Sequence, residues 1–211
     1  IIIDRDLSLL EDFNCRYHIS QISSAKSIEL INKRKNEVDF TTGVSINNLS
    51  LNENDIGDFR TFLKLSPPLR TEDDRVELIK GINKNLIDVI VSDHKPEDEE
   101  SKRLTFTQAA TGASGIETLL PLSLELFHNG SVKLSKIIEL LTSNPAKILK
   151  INKGNLSIGN DADFCIVDIY KPWIVKKEKL ISKSKNTSIE NKKLQGKVLN
   201  TFIKGVELFK I

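Results

Sequence analysis

Asp93 and His94 close the segment Asp88-Val-Ile-Val-Ser-Asp-His94, an apolar, β-branched run that ends in a carboxylate and an imidazole. A carboxylate so placed can take a proton from water and return it to a leaving nitrogen. An imidazole can do the same or bind a metal. A short apolar run bounded by polar turn residues reads as a fully buried strand. Parallel barrels keep their chemistry at the C-terminal ends of such strands. An aspartate in this position also serves as a turn former or a helix cap. The spacing alone leaves both readings open.

The elements that would position Asp93 follow from periodicity. Residues 5–13 carry Leu7, Leu9, Leu10 and Phe13 at helical spacing, and residues 16–22 alternate as a strand. Ser23 and Ser24 can cap a helix running to about Arg34, with Ile28, Leu30 and Ile31 apolar. Val38 to Val44 reads as a second strand. Leu51 to Leu69 is irregular and closes on Ser66-Pro67-Pro68-Leu69-Arg70, where the double proline forbids a helix. Thr71-Glu72-Asp73-Asp74 starts a helix to about Asn83, with Val76, Leu78, Ile79 and Ile82 as its apolar stripe. The strand 88–93 follows. This alternation predicts a parallel sheet or barrel with Gln21, Asn47, Asn48 and Asp93 at one end.

Beyond Asp93 come an acidic loop, Glu97 to Glu100, and Gly112-Ala113-Ser114-Gly115. The glycine pair lacks the lysine and spacing of a phosphate loop and reads as a close backbone approach. Helices are expected at 116–128, 134–142 and 144–150, the last with Pro145 at its first position. From residue 151 the chain is turn-rich. A strand at 164–168 and a hairpin over 198–209, turning at Lys204-Gly205, predict a small β subdomain.

Composition narrows the function classes. The chain is 211 residues long, 39% hydrophobic and 28% charged, with 31 basic against 29 acidic residues and a net charge of +2. That balance gives no ground for nucleic acid or an anionic membrane as partner. The lysines at 176, 177, 179, 183 and 185 are interrupted by Glu178, lack interleaved aromatics and read as a solvated edge. No stretch approaches the roughly 20 apolar residues of a membrane span. Cys15 and Cys165 lie far apart in apolar contexts and read as reduced core residues of a cytoplasmic protein. The sequence contains no methionine and opens like the interior of a domain, so it reads as part of a longer protein. A parallel sheet that is only part of a larger one would leave open edges, to be covered by another segment or by self-association.

The order of motifs carries a family resemblance. Tyr17-His18-Ile19-Ser20-Gln21-Ile22-Ser23, Thr42 to Leu49, Leu65 to Arg70, Val91 to Pro96, Gly115 to Pro121, Ser143 to Ala146 and Gly159 to Asp163 succeed one another along the whole chain. The series resembles the C-terminal half of a class I dihydroorotase, of the amidohydrolase superfamily. The resemblance implies an α/β fold. Residues 1–150 would form the C-terminal half of a metal-dependent (β/α)₈ barrel, and residues 151–211 would add strands of a β-sandwich. It implies reversible cyclisation of N-carbamoyl-L-aspartate to dihydroorotate in pyrimidine synthesis, with zinc as cofactor. Zinc lowers the pKa of bound water to about 7 and polarises the carbonyl. By resemblance Asp93 is the proton carrier and a metal ligand, and Arg70, Ser66 and Gly115 lie in segments that line the substrate pocket.

The departures from the pattern matter as much. Gln21 and Asn48 stand where the family places imidazole ligands, and amides are poor zinc ligands. Glu97 stands where a histidine often meets the substrate carboxylate, and it would repel a dianion. A His-x-His strand and a bridging lysine or aspartate belong to a part of the family's chain not present here. Two readings follow: a working hydrolase with an altered metal set or on another cyclic amide, and an impaired homologue that partners aspartate carbamoyltransferase. His18, three residues before Gln21, is expected on the opposite side of its strand. His128, at a helix end, suits the helix dipole. His94 points away from Asp93 in a strand but can turn inward in a loop.

Overall fold

The computed structural model describes residues 1–13 and 15–211. The chain forms two compact units, Ile1–Ile116 with Ser182–Ser188, and Glu117–Ile181 with Ile189–Ile211.

The first unit holds α1 (Ile2–Asp12), β1 (Tyr17–Ile22), α2 (Ala25–Arg34), β2 (Phe40–Ser45), α3 (Ile46–Ser50), α4 (Glu72–Asn83), β3 (Val89–Val91) and α5 (Glu99–Lys102). Its three strands make a parallel sheet in the order β1-β2-β3. The expected alternation therefore stands, and it places the C-terminal ends of the three strands along one edge. Thr42, Gly43, Val44 and Ser45 of β2 are all buried, as a strand covered on both faces requires. The Ser24 hydroxyl caps α2 by accepting from the amide of Ser27. The Thr71 hydroxyl caps α4 by accepting from the amide of Asp74, and three acidic residues occupy that helix's first turn. The two helices pack together, with Ile28 and Ile31 buried on one and Leu78, Ile79 and Ile82 on the other.

Several expectations change. In α1 only Leu7 is buried, while Leu9 and Phe13 are exposed. The short helix α3 fills the interval that the sequence reading leaves unassigned between the strand ending at Val44 and the irregular stretch from Leu51, and the Ser45 hydroxyl caps it by accepting from the amide of Asn47. The acidic loop contains α5, whose start the Asp98 carboxylate caps by accepting from the amide of Ser101. The strand over 88–93 is shorter than its apolar run. Asp88 spends its carboxylate on the Thr42 amide, and Asp93 adopts φ 48°, which ends the extended conformation.

The second unit holds α6 (Leu119–His128), α7 (Leu134–Leu141), α8 (Ser143–Leu149), β4 (Phe164–Ile174), β5 (Lys193–Ile203) and β6 (Val206–Lys210). The strands form an antiparallel sheet in the order β4-β5-β6, and β5 and β6 join through the expected turn at Lys204-Gly205. Helix α6 packs on β5, and its Leu122, Leu124 and Leu126 are buried. Pro145 is the third residue of α8 rather than the first, still within the turn whose amides have no helical acceptor. β4 runs past Asp168 to Ile174. A bulge there is held by the Asp168 carboxylate, which accepts from the amides of Tyr170 and Lys171. His128 ends α6 and stacks on Tyr170, in keeping with a structural role.

The cysteines overturn their reading. Cys15 and Cys165 are free thiols but exposed, not core residues. Cys165 sits on β4 beside Ile166, which is also exposed, so the apolar neighbours that suggested burial are themselves outside the core. Among the described residues no helix is long and apolar enough to cross a membrane.

Candidate functional site

β3 delivers Asp93 into a left-handed turn, and β1 brings Gln21 to meet it. The Gln21 Nε2 donates to Asp93 Oδ1 at 3.0 Å. An aspartate tolerates this conformation better than most residues because its short polar side chain bonds locally. The consequence is chemical. Where an imidazole could share a metal with the carboxylate, an amide N–H holds the carboxylate directly.

The turn is braced from the other side by the glycine loop. His94 pairs with Ala113, and the Lys95 amide donates to the Ala113 carbonyl at 2.9 Å. The His94 Nδ1 accepts from the amides of Gly115 (3.1 Å) and Ile116 (3.3 Å). An Nδ1 that accepts two N–H bonds leaves the ring proton on Nε2. His94 thus directs its Nδ1 at the loop backbone. The loop runs so close that only glycine fits at two points. A Cβ at Gly112 would lie 2.6 Å from the Lys95 carbonyl oxygen, and one at Gly115 would lie 2.5 Å from that of Ser92. The close approach read from the sequence is therefore present. Gly115→Ala is expected to destabilise the protein by about 2–3 kcal/mol, since backbone must move on one side or the other. A urea titration of the full-length protein with an unchanged midpoint would overturn this.

The remaining site residues spread over neighbouring elements. The Asn48 Nδ2 donates to the Pro68 carbonyl at 3.1 Å, tying α3 to the double-proline turn. The Asn47 Oδ1 accepts from the Ser188 hydroxyl at 3.0 Å. Asn48 Oδ1 and Asn47 Nδ2 are buried with no protein partner. Arg70 is exposed, and its Nε donates to the Ser23 hydroxyl at 3.3 Å, just past β1. Ser66, also exposed, precedes Pro67 through a cis peptide. Glu97 is half-buried, and its backbone is held by Asn186 and Ser184. His18 lies away from the Gln21 contact. Its Nδ1 is 2.7 Å from the Thr41 hydroxyl, and burial lowers its pKa against the pull of Asp88.

The residues that this chain brings to Asp93 do not by themselves make a zinc site. Among the described residues no three of histidine, cysteine, aspartate or glutamate come together. Against Asp93 the chain places the carboxamide of Gln21, which already donates into the carboxylate.

Two further residues emerge that the sequence did not single out. Lys102 is 1% exposed, and its ammonium donates to the carbonyls of Ala110 and Gly112, each at 2.8 Å. Burial pushes its pKa down to about 8, with Lys64 and Lys95 adding to the effect and Glu97 opposing it. Asn186, 3% exposed, donates to the same Gly112 carbonyl at 3.1 Å. A lysine after four acidic residues looks solvated, and an asparagine in a serine-rich stretch looks like a loop. Neither carries a periodic signal.

Residues 5–208 match the amidohydrolase family. The chain belongs to that family. This amidohydrolase chain is 40% identical to the dihydroorotase of Ehrlichia canis over 97% of its length, covering 46% of that protein. It is 38% identical to the dihydroorotase of Acetivibrio thermocellus, over 97% of the chain and 49% of the relative. It thus spans about half the length of the curated relatives it matches. Among solved structures it superposes on the L-hydantoinase (dihydropyrimidinase) of Arthrobacter aurescens with a TM-score of 0.94 at 27% identity, over 99% of this chain and 48% of that one. A D-hydantoinase, at 22% identity and a TM-score of 0.87, shares the α/β amidohydrolase fold.

Proposed function

We propose that this amidohydrolase chain belongs to a dihydroorotase-like cyclic amidohydrolase that opens and closes the ring between dihydroorotate and N-carbamoyl-L-aspartate in cytoplasmic pyrimidine synthesis. The observation that carries the proposal is Asp93, held at the C-terminal end of a parallel strand between Gln21 and the glycine loop. The identity to proteins named dihydroorotase supports the substrate. In this reading the Asp93 carboxylate takes the proton of the attacking water and returns it to the ring nitrogen as the C–N bond breaks. Arg70 supplies positive charge to the substrate side, and the loop through Gly115 supplies backbone contacts, with Ser66 on the same proline turn as Arg70.

The Gln21–Asp93 hydrogen bond favours a second reading. An amide in place of an imidazole weakens metal binding, and such a homologue would serve as partner of aspartate carbamoyltransferase rather than as a hydrolase. The deciding experiment is metal content of the dialysed full-length protein by plasma mass spectrometry, with dihydroorotate turnover measured on the same sample. Stoichiometric zinc with turnover supports the hydrolase. Neither zinc nor turnover overturns it in favour of the partner role. Zinc without turnover turns the search to another cyclic amide, one whose charge suits Glu97.

A further inference from the structure

We infer that Lys102 and Asn186 are a positioning pair. They set the Gly112–Ile116 loop against the Asp93 turn by converging on one atom, the carbonyl oxygen of Gly112. The inference rests on reading Asp93 and this loop as the site; it does not rest on turnover.

The convergence is specific. Lys102 Nζ reaches the Gly112 carbonyl from the last turn of α5, and Asn186 Nδ2 reaches it from the Ser182–Ser188 segment. Lys102 also holds the Ala110 carbonyl, so its ammonium spans the entry to the loop. Asn186 does more than donate. Its Oδ1 accepts from the Ser114 hydroxyl at 3.1 Å and from the Glu97 amide at 3.3 Å, and its own carbonyl accepts from the Ser114 amide at 3.1 Å. It therefore fastens the loop to the segment that follows Asp93. On the opposite edge the amides of Gly115 and Ile116 donate into His94, the residue next to Asp93. A shift of the loop would therefore move His94 and, with it, the backbone that carries Asp93. Neither Lys102 nor Asn186 touches Asp93.

The physical cost of Lys102 argues that it is kept for geometry rather than for stability. Both its hydrogen-bond partners are neutral carbonyls, and burying an ammonium so is expensive. An apolar side chain of similar volume removes that desolvation cost but takes a donor from the Ala110 carbonyl, so the two effects offset and global stability changes little. A purely structural lysine would lower the melting temperature when lost; a positioning lysine would loosen the loop without doing so.

The test is amide hydrogen exchange of the full-length protein, read by mass spectrometry, in Lys102→Met, Asn186→Ala and the double variant. Exchange over residues 112–116 is expected to speed up about tenfold in each single variant, as loss of a buried hydrogen bond allows. The double variant should exchange less fast than the product of the singles, because both act on one carbonyl. Exchange over residues 17–45 should stay as in the wild type, and the melting temperature of Lys102→Met should change little. Unchanged loop exchange overturns the inference, as does a uniform rise across both segments with a lower melting temperature. Should Lys102→Met not fold, Asn186→Ala reads the same carbonyl from the other side. Failure of both to fold would assign the pair to global stability and overturn the positioning role. These readouts hold whether or not the protein turns over dihydroorotate.

Discussion

Asn in place of Asp93 is expected to cut dihydroorotate turnover by the full-length protein about 10²- to 10⁴-fold, the range that a positioned general base supplies. The fold should scarcely notice. Asparagine is the residue most at ease after glycine at the φ of 48° that Asp93 adopts. Its Oδ1 can still accept from Gln21 Nε2, so the contact between β1 and the end of β3 survives. What disappears is the negative charge and the ability to take a proton. Stability is therefore expected to change by less than about 0.5 kcal/mol. The measurement is kcat/KM beside a thermal melt. Equal turnover in the variant would remove Asp93 from the chemistry. Equal loss of turnover and of stability would recast it as a structural turn residue.

The parts of this molecule that were legible from sequence are those set by local chemistry. Ser24 and Thr71 cap their helices as their residue types demand, and the alternating run at β1 joins the β-branched runs at β2 and β3 in the parallel sheet. Gly112 and Gly115 announced a tight approach, though not which carbonyls they approach. The illegible parts depend on partners far apart in sequence. Asn186 meets Gly112 across 74 positions, and nothing around either residue encodes that contact. Lys102 looks like one more surface charge until the Ala110 and Gly112 carbonyls close over it. Cys165 escapes the pattern because apolar neighbours in a strand suggest burial, while Ile166 and Ile174 of β4 are exposed. The site was half legible. Asp93 and Gln21 were expected at one end of the sheet and do meet. Asn48, expected on the same face, bonds to the Pro68 carbonyl of the proline turn, a contact that no local pattern announces.

Histidine at both Gln21 and Asn48 is expected to raise the zinc affinity of the full-length protein by at least about 100-fold. Groups that merely orient a metal ligand are worth about 10- to 100-fold, and two imidazoles gained as ligands should exceed that. Gln21 is the decisive position. Its side chain already lies within hydrogen-bond reach of Asp93, so an imidazole there would face the carboxylate, and the amide N–H that now occupies Oδ1 would be gone. Asn48 contributes in a different way. Its Oδ1 is buried without a protein partner, so the existing amide already leaves a polar atom unsatisfied. Exchange to histidine loses the bond to Pro68 but gives up little else. The two single variants separate these effects: Gln21→His alone should recover most of the affinity, and Asn48→His alone little. Competition titration with a zinc-sensitive dye measures it. Equal affinity in the double variant and the wild type would mean that residues 21 and 48 do not face a common ion. The Gln21–Asp93 hydrogen bond would then have no bearing on metal binding.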